Sequence, residues 1–264
     1  RSGGRPTADR PRGEGGRCAA PRPRASRRAA IRLGLLAGAA LLASLLLAGA
    51  ALPGSDFWAP SGSSQAALLV ARMSDEEVLG QLLMLAYPGE EPPPELFAWI
   101  EKRGLGGVKI FGWNADDTDR LAAATASLQQ AALRSGSGVP LLVATDQEGG
   151  WIRHVKGATT VTTGNMAIGA SGLPYDAYRS AEIIGRELAA LGVNMNFAPT
   201  VDLATKPSSP IIGPRAFSDD PMEAAVLGAA YARGLASSGV IATAKHFPGH
   251  GGTELDSHGT LPVI

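Results

Sequence analysis

Along residues 66–264 the hydrophobic positions switch repeatedly between two rhythms. Short apolar, partly β-branched runs occur at 84–87, 107–111, 140–145, 193–199 and 240–245. Each has strand length and little alternation, the pattern of strands buried on both faces. Between them lie longer segments with helical spacing, expected at about 95–103, 118–134, 175–191 and 221–238. The second carries an apolar stripe at Leu121, Ala124, Leu128 and Leu133, and the last opens on Pro221, a residue suited to a first helical turn. Ahead of the first strand, Ser74 followed by Asp75, Glu76 and Glu77 reads as a capped helix start, with the helix continuing through Val78, Leu79, Leu82 and Leu83.

Regular strand–helix alternation argues an α/β fold with a parallel sheet. About five units, each strand ending in polar residues, point to a TIM-type (β/α)8 barrel that reaches about its fifth strand. A doubly wound sheet is the alternative, but no Gly-rich phosphate turn follows the first strand. The chain opens on Arg1 rather than Met and stops on the strand-like Leu261-Pro262-Val263-Ile264. Residues 66–264 are accordingly expected to form an incomplete barrel domain.

The N-terminal quarter has neither rhythm. Residues 1–32 are rich in Arg, Pro, Gly and Ala, and too polar to offset the entropy of ordering, so a disordered leader is expected. Residues 33–52 are uncharged and apolar, long enough to cross a bilayer as a helix, and Arg27, Arg28 and Arg32 precede them. Ala48-Gly49-Ala50 resembles a small-residue cleavage site. The segment is read as a signal peptide or a transmembrane anchor. Either way the rest of the chain is expected to be exported, membrane-anchored or periplasmic or extracellular. The Pro-, Gly- and Ser-rich residues 53–65 read as a linker.

Charge sharpens this division. The formal net charge is zero, but residues 1–32 hold ten Arg against Asp9 and Glu14, which leaves 14 basic and 22 acidic residues in 33–264. An acidic domain lacks the basic face of a nucleic-acid binder, so no nucleic-acid partner is expected. The one cysteine, Cys18, lies in the leader, which removes disulfide frameworks and Cys-based metal sites.

The polar strand ends carry the candidate chemistry. In a barrel they converge on one face. They deliver Trp113 and Asn114, Asp146-Gln147-Glu148, Asp202, and Lys245-His246, with Arg215 on the loop after the fourth strand. Carboxylate, guanidinium, ammonium and imidazole around one pocket suit a ligand with many hydroxyls, each of which can donate and accept. A phosphate ester would also use Arg and Lys. Gly149-Gly150 would let the backbone turn sharply after Glu148. The stretch from Lys245 to His258 holds three of the four histidines. Within it, Asp256-Ser257-His258 places a carboxylate two residues from an imidazole, where it can fix the ring's tautomer and raise its basicity. A ring held this way can give and take a proton near neutral pH. The other readings are a plain surface turn and a metal site of His246, His250 and His258. The spacing, with Pro248 and the glycines between, matches no helix-borne zinc signature, so no metal and no cofactor is expected.

Taken together these motifs resemble glycoside hydrolase family 3, specifically its single-domain β-N-acetylhexosaminidase branch. The stretches that carry the resemblance are 73–84, 104–111, 145–150, 192–202, 212–221 and 245–258, the last with Lys-His-Phe-Pro-Gly-His-Gly followed by Asp-Ser-His. The resemblance implies a retaining glycosidase that removes terminal β-linked N-acetylglucosamine from glycans such as cell-wall fragments. It makes His258 the general acid/base and Asp256 its orienting partner. Asp146, Arg215, Lys245 and His246 would hold sugar hydroxyls. His154 stands where the family usually has Arg, eight residues after Asp146, and Thr163 replaces a usual Pro. The family's nucleophilic Asp lies on a later strand, beyond residue 264, so the fragment alone is expected to be inactive. A non-catalytic, membrane-tethered glycan-binding protein and a family 3 β-glucosidase-like enzyme are the alternatives.

Overall fold

The computed structural model describes residues 61–206, 209, 211–259 and 261. The leader 1–32, the apolar run 33–52 and most of the expected linker lie outside the described residues. Among the described residues no helix is long and apolar enough to cross a membrane. Residues Ser63–Ile264 form one compact unit.

A helix, α1 (Ser61–Val70), runs across the point where composition places the end of the linker. The next, α2 (Asp75–Gln81), starts at the expected cap: the Glu77 amide donates to Ser74 Oγ, and the Ser74 amide donates to Glu77 Oε2 at 2.9 Å. It ends two residues before the expected Leu83, and Leu79 and Leu82 lie exposed.

Five strands then alternate with helices: β1 (Met84–Ala86), α3 (Pro94–Arg103), β2 (Gly107–Lys109), α4 (Thr118–Arg134) and β3 (Leu142–Thr145). A small antiparallel hairpin follows, β4 (Gln147–Gly149) and β5 (Ile152–Arg153), then helices α5 (Asn165–Ser171) and α6 (Pro174–Ala190). Strand β6 (Met195–Asn196), helix α7 (Pro221–Ser237) and strand β7 (Ile241–Ala242) complete the order. The strands β1, β2, β3, β6 and β7 pair in that order, all parallel, with Val108 opposite Val143, Ala144 opposite Met195 and Met195 opposite Ile241. The fold is therefore α/β with a parallel sheet. Among the described residues β1 and β7 do not pair with each other, so the sheet is open rather than a closed barrel.

Helix α4 shows why one stripe position fails. Leu121, Ala124 and Leu128 are buried as their spacing requires, but the stripe continues through Ala131 and Ala132, while Leu133, five residues past Leu128, turns outward at 60 % exposure. Helices α6 and α7 approach closely because Gly234 has no side chain: a Cβ there would meet the Tyr178 carbonyl at 2.3 Å. Ile184, Leu188, Tyr231 and Leu235 are buried between these helices and the sheet. Each such side chain contributes roughly 1.5–3 kcal/mol of hydrophobic stabilisation.

Ladder pairing is shorter than the apolar runs, and two asparagine side chains reinforce it at its ends. Asn194 Oδ1 accepts from the Val143 amide and its Nδ2 donates to the Leu141 carbonyl, at 2.8 and 2.9 Å. Asn196 does the same one step along, accepting from the Gln147 amide and donating to the Gln147 carbonyl, at 3.0 and 2.9 Å. These side-chain amides add to the backbone pairing, in which the Asn194 amide donates to the Val143 carbonyl at 3.0 Å and the Phe197 amide to the Thr145 carbonyl at 2.8 Å. The Asn196 side chain pins Gln147, the middle of the acidic Asp146-Gln147-Glu148 segment.

Candidate active site

Because the five strands are parallel, their C-terminal ends lie on one edge, and the polar residues that follow them meet there. Lys109 ends β2. Asp146 follows β3, and Glu148 lies on the hairpin strand β4. Gly149 and Gly150 both adopt positive φ, +87° and +57°, which turns the hairpin as the sequence suggested. Lys245 pairs with Thr200 in a parallel bridge beyond β6 and β7, and the Val201 amide donates to the Lys245 carbonyl at 2.9 Å. Arg215 closes a short 3₁₀ turn, Gly213–Arg215, whose last carbonyl accepts from Asn165 Nδ2 at 2.8 Å.

These side chains form one continuous charge network. Asp146 accepts from Lys109 Nζ on Oδ2 and from Lys245 Nζ on Oδ1, each at 2.6 Å. Lys245 also reaches Glu148 Oε1 at 2.5 Å. Arg215 grips Glu148 with two parallel bonds, Nη2 to Oε1 at 2.8 Å and Nε to Oε2 at 2.9 Å. The Glu148 side chain is 2 % exposed. Below it, the fully buried Tyr231 donates its hydroxyl to the Glu148 carbonyl at 3.0 Å, tying the core to the site.

Burial alone would push the Asp146 and Glu148 carboxyls up. Lys245 and Lys109 outweigh this at Asp146, and Arg215 and Lys245 outweigh it at Glu148, so both titrate below the usual carboxylate range. Burial lowers Lys109, with Asp146 opposing. Burial and the Lys109 charge lower His154, which is therefore neutral at pH 7. Lys109 Nζ, a pure donor, lies 3.4 Å from His154 Nδ1, so that nitrogen is the acceptor. The 3.9 Å approach of His154 Nδ1 to Asp146 is then not an ion pair.

His246 follows Lys245 through a cis peptide bond. Its Nδ1 lies 2.5 Å from Asp202 Oδ2, and its Nε2 lies 3.3 Å from Arg215 Nη2. The backbone then turns through Gly249, His250 and Gly251. A Cβ on Gly251 would meet the Leu203 carbonyl at 1.9 Å, so only glycine lets this loop seat there. His250 is buried, with Nδ1 at 2.5 Å from Thr253 Oγ1 and Nε2 at 3.2 Å from Ser257 Oγ. At the exposed tip, Asp256 Oδ1 lies 2.7 Å from His258 Nδ1 and accepts from the His258 amide at 2.9 Å. These bonds from the His258 amide and then its ring hold the Asp256 carboxyl below its usual range.

A cavity of about 290 Å³ gathers this chemistry. Asp146, His154, Arg215, Lys245, His246 and His258 all line it, and Asp256 stands behind His258. All seven residues to which the family resemblance gave a catalytic or sugar-holding role thus meet at or beside one cavity. Trp113 and Asn114 do not: Trp113 Nε1 and Asn114 Nδ2 both donate to the Tyr87 carbonyl and brace a neighbouring loop. Glu148 and Asp202, named in the sequence only as strand-end carboxylates without an individual role, belong to the network, and so does Lys109, which sequence reasoning missed. Their signal was present, since each sits at or just past a strand end. The three histidines proposed as a metal alternative have other partners, Asp202, Thr253 with Ser257, and Asp256. Among the described residues no group of three or more His, Cys, Asp or Glu side chains could hold a metal ion. A larger groove of about 700 Å³ runs along residues 244–252, but Leu203, Ala224, Ala225, Phe247 and Pro248 make it largely apolar, and the charge network converges on the smaller cavity. The smaller cavity can place polar hydroxyls among ionised groups and bring an imidazole to their edge.

The pattern of the family described as "Glycosyl hydrolase family 3 N terminal domain" matches residues 74–264. "Beta-hexosaminidase A" of Pseudoalteromonas piscicida is 39 % identical over 223 residues, 76 % of this chain and 37 % of that protein. "Beta-hexosaminidase" of Xanthomonas campestris pv. campestris is 33 % identical over 183 residues, 67 % of this chain and 53 % of that protein. Among solved structures, a glycoside hydrolase family 3 β-N-acetylglucosaminidase from Paenibacillus sp. superposes with a TM-score of 0.70 at 42 % identity, covering 73 % of this chain and 36 % of that one. The chain therefore spans between about a third and about half of the length of these relatives.

Proposed function

Because the chain belongs to the glycosyl hydrolase family 3 N-terminal domain family, we propose that it forms the sugar-binding and proton-transfer part of a retaining β-N-acetylhexosaminidase. The substrate is a glycan with a terminal β-linked N-acetylglucosamine, cell-wall fragments included. One observation carries this reading: an ionised Asp146–Lys245–Glu148–Arg215 network lines a 290 Å³ cavity with an Asp-held histidine at its edge. Relatives that bear the name β-hexosaminidase support the substrate class. The chain-order, all-parallel sheet supports reading the domain as the first five units of a (β/α)8 barrel.

In this mechanism Asp146, Arg215, Lys245 and His246 bind hydroxyls of the terminal sugar, with His154 beside Asp146. Asp256 takes the Nδ1 side of His258, which leaves Nε2 to protonate the departing glycosidic oxygen and then to activate water. A retaining reaction also needs an attacking carboxylate. Asp146 and Glu148 each lie between two cations, and Asp202 is bound to His246 and His250, so none offers an open oxygen to the anomeric carbon. The resemblance to family 3 supplies that group as an Asp on a later strand, in sequence outside this chain. The apolar run 33–52 and the arginines before it further support an exported protein, anchored or cleaved.

The test uses the full-length protein and an aryl β-N-acetylglucosaminide. His258→Ala is expected to slow turnover about 10²–10⁴-fold, the usual worth of a general acid/base, while N-acetylglucosamine still binds. Undiminished turnover would remove His258 from the mechanism. Absence of any turnover in the unaltered full-length protein would remove the reading itself.

A further inference from the structure

Asp202 is a buried carboxylate of the site, with its side chain 1 % exposed. Both of its oxygens are engaged by one short segment. Oδ2 lies 2.5 Å from His246 Nδ1 and accepts from the His246 amide at 3.2 Å. Oδ1 accepts from the His250 amide at 2.6 Å. One carboxylate therefore clamps both ends of the five-residue turn 246–250.

The chemistry of the two partners of His246 fixes its proton. An ionised carboxylate only accepts, so Nδ1 must carry hydrogen. Arg215 Nη2 only donates, and it lies 3.3 Å from Nε2, so that nitrogen must accept. Both demands are met by a single neutral tautomer, with hydrogen on Nδ1 and a lone pair on Nε2. The opposite tautomer would set an N–H against Arg215 and a lone pair against Asp202. Past the turn, the His250 ring contacts Thr253 and Ser257, and Ser257 stands between Asp256 and His258.

We infer that Asp202 is a positioning residue that holds His246 in its Nδ1–H tautomer, so that Nε2 faces the cavity as an acceptor, and that anchors through His250 the base of the loop bearing Asp256 and His258. This rests on the sugar-pocket reading for its use, since an acceptor at Nε2 serves a ligand hydroxyl. The tautomer itself does not depend on that reading.

Long-range ¹H–¹⁵N NMR of the imidazole rings tests it. The unaltered chain is expected to show His246 as one neutral species with hydrogen on Nδ1. Asp202→Asn keeps the shape and removes the charged acceptor, and should mix the tautomers or reverse them. It should also quicken exchange of the His250 amide and weaken N-acetylglucosamine binding by about tenfold or more. Asp202→Glu, which restores the charge, should recover part of the Nδ1–H signal. An Nε2–H His246 in the unaltered chain overturns the inference without any variant. So does an Asp202→Asn protein, folded by circular dichroism, whose His246 spectrum and His250 exchange are unchanged. A chain with the expected tautomer but no affinity for N-acetylglucosamine would leave the tautomer assignment standing and count against the sugar reading instead.

Discussion

Among the described residues two Asp–His pairs join a carboxylate oxygen to Nδ1 within hydrogen-bond distance, and they are buried to opposite extents. Asp202 and His246 are 2.5 Å apart with side chains 1 % and 34 % exposed. Asp256 and His258 are 2.7 Å apart with side chains 47 % and 81 % exposed. Burial pushes the Asp202 carboxyl up, and the bonds from His246 and His250 more than reverse it. At Asp256 the His258 amide and ring act against almost no burial. The first pair is locked by its surroundings and suits recognition, where geometry must not vary. The second can exchange protons with water and with a leaving group, as an acid/base must. Identical chemistry thus acquires different access to solvent through its depth in the fold.

The largest effect expected of breaking this contrast is on stability. Glu148→Ala leaves Arg215 and Lys245 buried beside a missing carboxylate and should cost about 3–5 kcal/mol, read as a lower midpoint in urea. Asp256→Ala, on the exposed pair, should leave that midpoint unshifted. An equal loss from both would erase the distinction between the two regions.

A smaller effect sharpens it by pH. Asp146 and Glu148 have folded-state titrations below their ordinary values of 3.8 and 4.5. Their contribution to stability is therefore complete above about pH 4.5 and disappears as pH falls through the depressed values. Melting temperature should drop with acid in that window, and Glu148→Gln should flatten the slope. A slope unaltered by that change would place the acid sensitivity elsewhere.

Tyr231→Phe removes only the hydroxyl that meets the Glu148 carbonyl and should cost about 1 kcal/mol. Least of all, Leu133→Ser, on the outer side of α4, should stay within about 0.5 kcal/mol of the parent. A larger cost there would mean that another surface covers that face.

Helix α4 was legible to the residue, Thr118–Arg134, because Asp117 caps it by accepting from the Asp119 and Arg120 amides and its buried stripe runs at helical spacing. The strands were legible as runs but not as ladders. Residues 193–199 read as one strand, and the ladder holds Met195–Asn196, with the Asn194 and Asn196 side chains adding bonds to the neighbouring strand on either side. The hairpin Gln147–Gly149 with Ile152–Arg153 and the helix Asn165–Ser171 were not legible, being too short for a period to show. In the site, Asp146, Lys245 and Arg215 could be named from strand ends and loop chemistry. Trp113 and Asn114 shared the same strand-end signal and turned to the Tyr87 carbonyl instead, because position along a strand does not say where a side chain finds its partner.

By itself the sequence determined the parallel α/β order, the placement of cations and carboxylates at strand ends, and the Asp256–His258 pair, whose members are two residues apart. These follow from local spacing, which sets the backbone rhythm and the reach of near neighbours. Only the tertiary structure decided that Glu148 would lie between Arg215 and Lys245, 67 and 97 positions later in the chain, and that Asp202 would hold His246, 44 positions on. Such contacts arise when the sheet aligns distant strand ends, and in that dry edge each buried charge requires a partner.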